Sequence, residues 1–344
     1  MDATIVLSLI QDGIVNGAIY ALLAVALVLV FAVTRVILIP QGEFVALAAL
    51  TFAQLQSGAA PGTAKLLVAL GVAAFLLDLA RGDWRNPRRL ARRALFDLAL
   101  PVLLYAASRW LAPLQPGAAF DIALTFLLVA PMGPLIYRIA FAPLADASIL
   151  TLLIAAVGVH LALTVLGLTF FGPEGFRADP LIDASFDLGG VTIPAQQLIM
   201  VGASLALMAA LYLFFERTLA GKALRAVAVN RTGARLVGIP IAASGEAAFA
   251  LAAAIGAISG ILIAPVTMLY YDSGFLVGLK GFVAAIIGGL ESYPLAVAGA
   301  LGVGLVQSFA AFWTSTFMEV VVFMLVIPVL LLRSLRGGAV EEEE

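Results

Sequence analysis

Long apolar runs, separated by short stretches that hold most of the charge, recur from one end of the chain to the other. Runs at residues 13–33, 43–57, 65–80, 94–111, 120–141, 147–171, 196–215, 244–270 and 316–333 each predict a helix. A further apolar stretch at 281–312 is broken by Gly288, Gly289 and Pro294, which predicts a re-entrant segment or a pair of crossings. About 20 apolar residues span the hydrocarbon core as a helix, so the chain has room for roughly eight to ten spans. A β-barrel would instead alternate apolar and polar positions in segments of about ten residues, and these Leu- and Ala-rich runs do not. The pattern predicts an all-α, polytopic transmembrane bundle.

Composition sharpens this. The 344 residues are 63% hydrophobic and 12% charged, with a mean hydropathy of +1.12, against roughly 45–50% apolar and 25% charged in soluble domains. A soluble fold is excluded. With no cysteine and a single histidine, His160, disulfides, thiolate metal sites and imidazole clusters are excluded, and no cofactor or metal is expected. Nor is there a basic footprint for nucleic acid. The first 30 residues carry no Lys or Arg and no cleavage motif, so the first run is expected to remain as a span.

Basic residues group at 81–93, at 217–235 and at Arg333 and Arg336. Cytoplasmic loops carry the excess of Lys and Arg, which places these groups inside, the N-terminus outside and the C-terminus inside. On this topology all 19 basic residues except Lys65, Arg109, Arg177 and Lys280 are cytoplasmic. The 172–194 connection, with Glu174, Asp179, Asp183 and Asp187 against Arg177, is an acidic external surface. Residues 338–344 end in four glutamates and read as a disordered acidic tail.

The 216–240 loop, ERTLAGKALRAVAVNRTGARLVGIP, alternates Leu224, Val227, Ala234 and Leu236 with Lys222, Arg225, Arg231 and Arg235 near helical spacing, and Gly238 with Pro240 gives a stop. It predicts one or two amphipathic helices at the membrane surface, whether held by anionic lipid or by a protein.

This segment, GKALRAVAVNRTGARLVGI, resembles the permease subunits of branched-chain amino acid ABC transporters and their relatives for urea and short amides. The resemblance continues in NGAIYALLAVALVLVFAVTRVI (16–37), QGEFVALAAL (41–50), IYRIAFAPLADASILTLLIAAVG (136–158), FGPEG (171–175), GGVTIP (189–194) and GLKGFVAAIIGGLESYPLAVAGALGVGLVQ (278–307). It implies a type II importer-like bundle with inverted repeats in the inner membrane. It also implies as partners cytoplasmic ATPases, a second permease subunit (a paralogue or a second copy) and an external substrate-binding protein. By the same resemblance Gly221, Lys222, Arg225, Ala226, Asn230, Arg231, Arg235, Leu236 and Gly238 form the ATPase-docking loop. Asn16, Gln41, Glu43, Lys280, Gly288, Gly289 and Glu291 are the candidate translocation path. The chain departs from the family at Gln41, where His is usual before Gly-Glu, at Glu291, where Gly is usual, and at Thr232-Gly233, where a helix break is expected because Gly costs about 1 kcal/mol in a helix.

Residues 65–111 read as an inserted two-helix hairpin in an otherwise single 1–344 permease domain. GEFVAL (42–47) and KGFVAA (280–285) share a short pattern and enter from opposite sides, as inverted repeats would. Gly256 with Gly260, and Ala296, Ala300 and Gly304, are spaced for close helix packing. Ionisable residues in spans cost about 2.5–3.5 kcal/mol at a helix centre. Glu43, Glu246, Lys280, Glu291 and Glu319 are expected to meet that cost by snorkelling from span ends, and His160 by hydrogen bonding within the bundle.

No GxxxxGK[ST] phosphate loop occurs, since Ala223 follows Gly221-Lys222. The chain is therefore expected to be a transport subunit and not an ATPase, translocating branched-chain or other hydrophobic amino acids, with urea or short amides as the alternative cargo. An ion-coupled secondary transporter would also use inverted repeats, but no carboxylate or histidine relay is evident. An intramembrane enzyme has no metal-ligand cluster or cysteine to support it.

Overall fold

A computed structural model describes residues 2–81, 87–188 and 191–336. Among these, eight helices are long and apolar enough to cross a membrane. They are α1 (Ala3–Thr34), α3 (Gly62–Ala80), α4 (Leu90–Leu114), α5 (Ala118–Leu144), α6 (Ile149–Phe171), α7 (Ala195–Arg217), α10 (Ile241–Ile263) and α12 (Tyr293–Trp313). Between them lie the shorter α2 (Gln41–Gln56), α8 (Leu219–Val229), α9 (Arg231–Leu236), α11 (Ser273–Ile287) and α13 (Ser315–Leu331). One antiparallel hairpin, β1 (Ser185–Leu188) and β2 (Val191–Pro194), precedes α7. The chain is a multi-pass membrane protein. The acidic tail at 338–344 and part of the basic turn, residues 82–86, lie outside the described residues.

Helix starts follow local chemistry. Ser148, Thr218, Asn230 and Ser292 each accept a hydrogen bond from a backbone N–H in the first turn of the following helix, satisfying a donor that the helix leaves orphaned. Pro294 lies in the first turn of α12, where its missing N–H is harmless.

The centre is α1, buried without a break from Gly17 to Val30. It is apolar all round because it is surrounded. Its antiparallel neighbour α12 comes close through glycines: a Cβ on Gly304 would lie 2.5 Å from the Gly17 nitrogen, and one on Gly17 would lie 2.9 Å from the Leu301 Cα. Across α1, the expected Gly256 and Gly260 face α2, with a Cβ on Gly256 reaching to 2.6 Å from the Phe44 Cβ. Helices α6 and α7 form the periphery, exposing Leu150, Ile154, Leu161, Val165, Leu205 and Leu213 to lipid or a partner.

Some segments depart from the hydropathy reading, among them the run at 316–333, which is a 17-residue helix and not one of the eight. The run expected to span at 43–57 is a 16-residue helix, about 24 Å long at 1.5 Å per residue. It is preceded by a non-helical stretch from Arg35, whose φ of 62° ends α1. Likewise the run expected to continue to residue 270 stops as a helix at Ile263, and the chain returns through 264–272, bridging Leu269 to Phe176. It then enters the 15-residue α11. The break expected at 288–294 is present: Gly289 (φ 72°) and Leu290 (φ 60°) turn the chain between α11 and α12.

Candidate functional site

Both short helices begin deep in the bundle. Gln41, at the start of α2, donates through Nε2 to the carbonyl of Ala252, midway along α10, at 3.0 Å. From there α2 runs parallel to α10, with Phe44 beside Gly256 and Val45 beside Gly260. Helix α11 starts against the same place. A Cβ on Gly42 would run into the Gly274 carbonyl oxygen and lie 2.6 Å from the Gly278 nitrogen, so the first turns of α2 and α11 meet backbone to backbone. From that contact α2 proceeds toward one end of the bundle and α11 toward the other, where Leu290 and Glu291 share a cavity with Arg35. The opposed directions expected for the GEFVAL and KGFVAA helices are present, with the contact made at Gly274 and Gly278, before the KGFVAA segment.

The two helix N-termini place converging backbone dipoles, positive ends inward, at one point. Glu43, in the first turn of α2, places its carboxyl group there. Its carboxyl group is buried, shares a hydrogen bond with His160 Nδ1 of α6 at 2.9 Å, and lies close enough to α11 that a Cβ on Gly274 would be 2.8 Å from Oε2. The His160 ring stacks on Phe275 of α11 at 4.8 Å between centroids. Glu43 therefore does not snorkel as the sequence suggests. His160 is hydrogen-bonded within the bundle, and its bond to Glu43 and its stack on Phe275 tie α6 to both half-length helices.

A second polar group sits one turn further along α11. Lys280, buried, pairs with Glu319 of α13 at 3.2 Å and lies 6.0 Å from the centroid of the Tyr20 ring. Tyr20 donates to Gln307 Oε1 at 2.7 Å. Lys280 and Glu319 thus meet their desolvation cost by pairing with each other, where snorkelling was expected. Asn16 is half-buried on α1, one turn from Tyr20. Gly288, Gly289 and Glu291 lie apart from Gln41 and Glu43, in the turn at the far end of α11, so the expected path residues divide into a central group and an end group.

At that end α8 and α9 lie against the bundle. Gly221 is packed against the last turn of α7, where a Cβ would be 2.7 Å from the Phe215 Cα, and Leu224, Val227 and Ala234 are buried. Lys222, Arg225, Ala226, Arg235, Leu236 and Val237 are exposed. Arg231, expected in the docking set, instead turns inward: it donates to the Ala145 carbonyl at 3.1 Å and stands 3.9 Å from Asp146. The helix break falls at Asn230, whose side chain accepts from Gly233 N at 2.7 Å. Thr232 and Gly233 are both inside α9, and Gly238 (φ 85°) ends it.

One buried network was not anticipated. Arg138 of α5 donates to both oxygens of Asp97 of α4 at 2.8 and 2.7 Å and also bonds Asp78 of α3, which Arg93 meets as well. The signal was present as Asp78 in FLLDLA, Asp97 in ALFDLAL and Arg138 in LIYRIAF. Each is a charge inside an apolar run. Among the described residues no group of three or more His, Cys, Asp or Glu could hold a metal ion.

A membrane bundle with paired half-length helices and an exposed basic surface at one end defines a transport subunit. The sequence matches the family of branched-chain amino acid transport system permease components over residues 9–332, and the chain belongs to that family. It is 31% identical over 228 residues to the high-affinity branched-chain amino acid transport system permease protein BraD of Pseudomonas aeruginosa, covering 64% of this chain and 74% of the relative. It is 29% identical over 213 residues to the corresponding LivH proteins of Salmonella typhimurium and Escherichia coli K12, covering 60% of this chain and 69% of each relative. No solved structure matches it.

Proposed function

We propose that the chain is the membrane-spanning subunit of an ATP-binding-cassette importer that carries branched-chain or other hydrophobic amino acids across the inner membrane. The observation that carries this reading is the pair of half-length helices meeting at Gly42 and Gly274. Backbone ends left inside a membrane are tolerated where they are buried in protein or line a pathway. Here they are paired with Glu43, His160 and Gln41, whose polar groups suit the amino and carboxyl groups of a passing amino acid. Sequence similarity to BraD and LivH supports the substrate class.

ATP hydrolysis is assigned to partner subunits, because the chain has no phosphate loop. Their docking surface is the exposed face of α8 and α9, formed by Lys222, Arg225, Ala226, Arg235 and Leu236. Gly221, Asn230, Arg231 and Gly238 shape it from behind. Gly221 seats α8 on α7, and Arg231 ties α9 to the α5–α6 turn. A push on this face therefore moves α7, α10 and the start of α6 together, and α6 carries His160 to the half-helix contact. The basic end is placed in the cytoplasm by the positive-inside rule, with the N-terminus outside. The acidic 172–194 connection then faces a substrate-binding protein, and the exposed sides of α6 and α7 face lipid or a second permease subunit. The 65–111 hairpin is an accessory element fastened by the Arg138 network.

Deleting the chain from its host is expected to reduce saturable L-leucine uptake to background while leaving urea and acetamide uptake unchanged. Complementation with wild type restores uptake. His160→Phe keeps the ring stack on Phe275 but loses the bond to Glu43, and is expected to restore little of it despite normal membrane levels. Unchanged leucine uptake in the deletion strain, or loss of urea uptake instead, would overturn the assignment.

A further inference from the structure

A cavity of about 950 Å³ opens between α1, α7, α8 and the α11–α12 turn. This is the upper range for sites that hold a small organic molecule. Its walls are apolar, including Leu29, Met208 and Val297, and run along the last third of α1. Tyr212, which lines it, is 66% exposed on α7, a helix whose exposed side faces lipid or a partner, so the cavity opens on that side. Three charged side chains stand at its end, Arg35, Arg225 and Glu291, all exposed. Arg225 is shared with Glu216 at 3.0 Å.

An apolar slot on a lipid- or partner-facing side, with cations at one end, has the chemistry of a phospholipid site. The charges choose the headgroup. Arg35 and Arg225 suit a phosphate diester, whereas Glu291 repels a purely anionic head and accepts hydrogen bonds from a primary ammonium. A choline head has no N–H to give.

We infer that this cavity binds a phosphatidylethanolamine molecule, its phosphate between Arg35 and Arg225, its ammonium on Glu291 and an acyl chain against Leu29 and Val297. Such a lipid would join α8 to α1 at the end of the bundle. The binding site itself does not depend on the transport reading.

The test is native mass spectrometry of delipidated protein titrated with phosphatidylethanolamine, phosphatidylglycerol or phosphatidylcholine. One bound phosphatidylethanolamine is expected, retained about tenfold over the other two, which corresponds to about 1.4 kcal/mol. Arg35→Gln is expected to weaken retention of all three about tenfold, the scale of one charge-assisted hydrogen bond. Ala32→Phe, which puts a ring into the space of the acyl chain, is expected to weaken it further. Glu291→Gln, in an exposed turn, removes the preference over phosphatidylglycerol and keeps the proposal testable should Ala32→Phe misfold. Equal retention by wild type and a well-folded Ala32→Phe would overturn the proposal. So would preference for phosphatidylglycerol, or displacement of the lipid by leucine, which would make the cavity part of the transport path. Efficient disulfide dimerisation of Tyr212→Cys in this otherwise cysteine-free chain would assign the opening to a second copy instead.

Discussion

Replacing Arg138 with leucine is expected to destabilise the protein by about 3–5 kcal/mol, the cost of leaving buried charges without their partner. Asp97 loses both of its bonds to the guanidinium, and among the described residues Asp78 is left with Arg93, whose side chain is 24% exposed. The three helices α3, α4 and α5 lose the group that holds them together. Thermal unfolding in mild detergent should show a large drop in midpoint, accompanied by proteolysis within residues 65–111. Arg138→Lys is expected to recover only part of the loss, since an ammonium cannot bond both oxygens of Asp97 in the same plane. Replacing the whole set with Asp78→Leu, Asp97→Leu and Arg138→Met should restore much of the stability, because well-packed apolar side chains of similar size often substitute for a buried ion network at little cost. A melting point unchanged in Arg138→Leu would show that the network contributes nothing.

Gly42→Leu is expected to be the most damaging single change at the half-helix contact. Overpacking a tight core ordinarily costs about 1–3 kcal/mol. Here the new Cβ meets the Gly274 carbonyl and the Gly278 backbone, neither of which can rotate away as a side chain would. The first turns of α2 and α11 must separate, and the Glu43–His160 bond separates with them. Loss of leucine uptake and a fall in detergent-stable protein should follow together. Gly202→Ala is the control: nothing lies within 4 Å of its Cβ position, and removing a glycine from a helix interior should stabilise by about 0.5–1 kcal/mol. Normal uptake by Gly42→Leu would mean that the two helices do not need to touch.

Hydropathy made the long spans legible because α1, α3, α6 and α7 are continuous apolar runs ending in charge or glycine. It failed where an apolar run is not a helix. Residues 36–39, Val-Ile-Leu-Ile, read as well for a span end as for the non-helical link they form, and only Pro40 hints that a helix begins after them. Spacing identified the small-residue contacts of Gly256, Gly260 and Gly304, since a helix face repeats every three to four residues. Partners distant in sequence were not legible. Asp97 and Arg138 are 41 residues apart, Asp78 and Arg138 are 60, and Glu43 and His160 are 117. Glu43 and His160 looked like isolated costs, and Asp78, Asp97 and Arg138 were not singled out at all, because nothing local says which charges the fold brings together. In the 216–240 segment periodicity gave the helices, while the inward turn of Arg231 depends on the neighbouring Ala145–Asp146 loop. Asn230 is a favourable helix cap, and that preference places the break there and not at Gly233.

The most direct test is co-purification from native membranes in mild detergent, comparing wild type with a variant carrying Arg235→Glu and Leu236→Asp. Both positions are exposed on α9 and lie away from the lipid cavity and the half-helix contact. A permease subunit docked through this face should bring an ABC ATPase with it as wild type and lose it in the variant, with helical content unchanged. Absence of any ATPase from the wild-type preparation, under conditions that hold a known ABC complex together, would contradict the assignment, and equal recovery with both proteins would place the docking surface elsewhere.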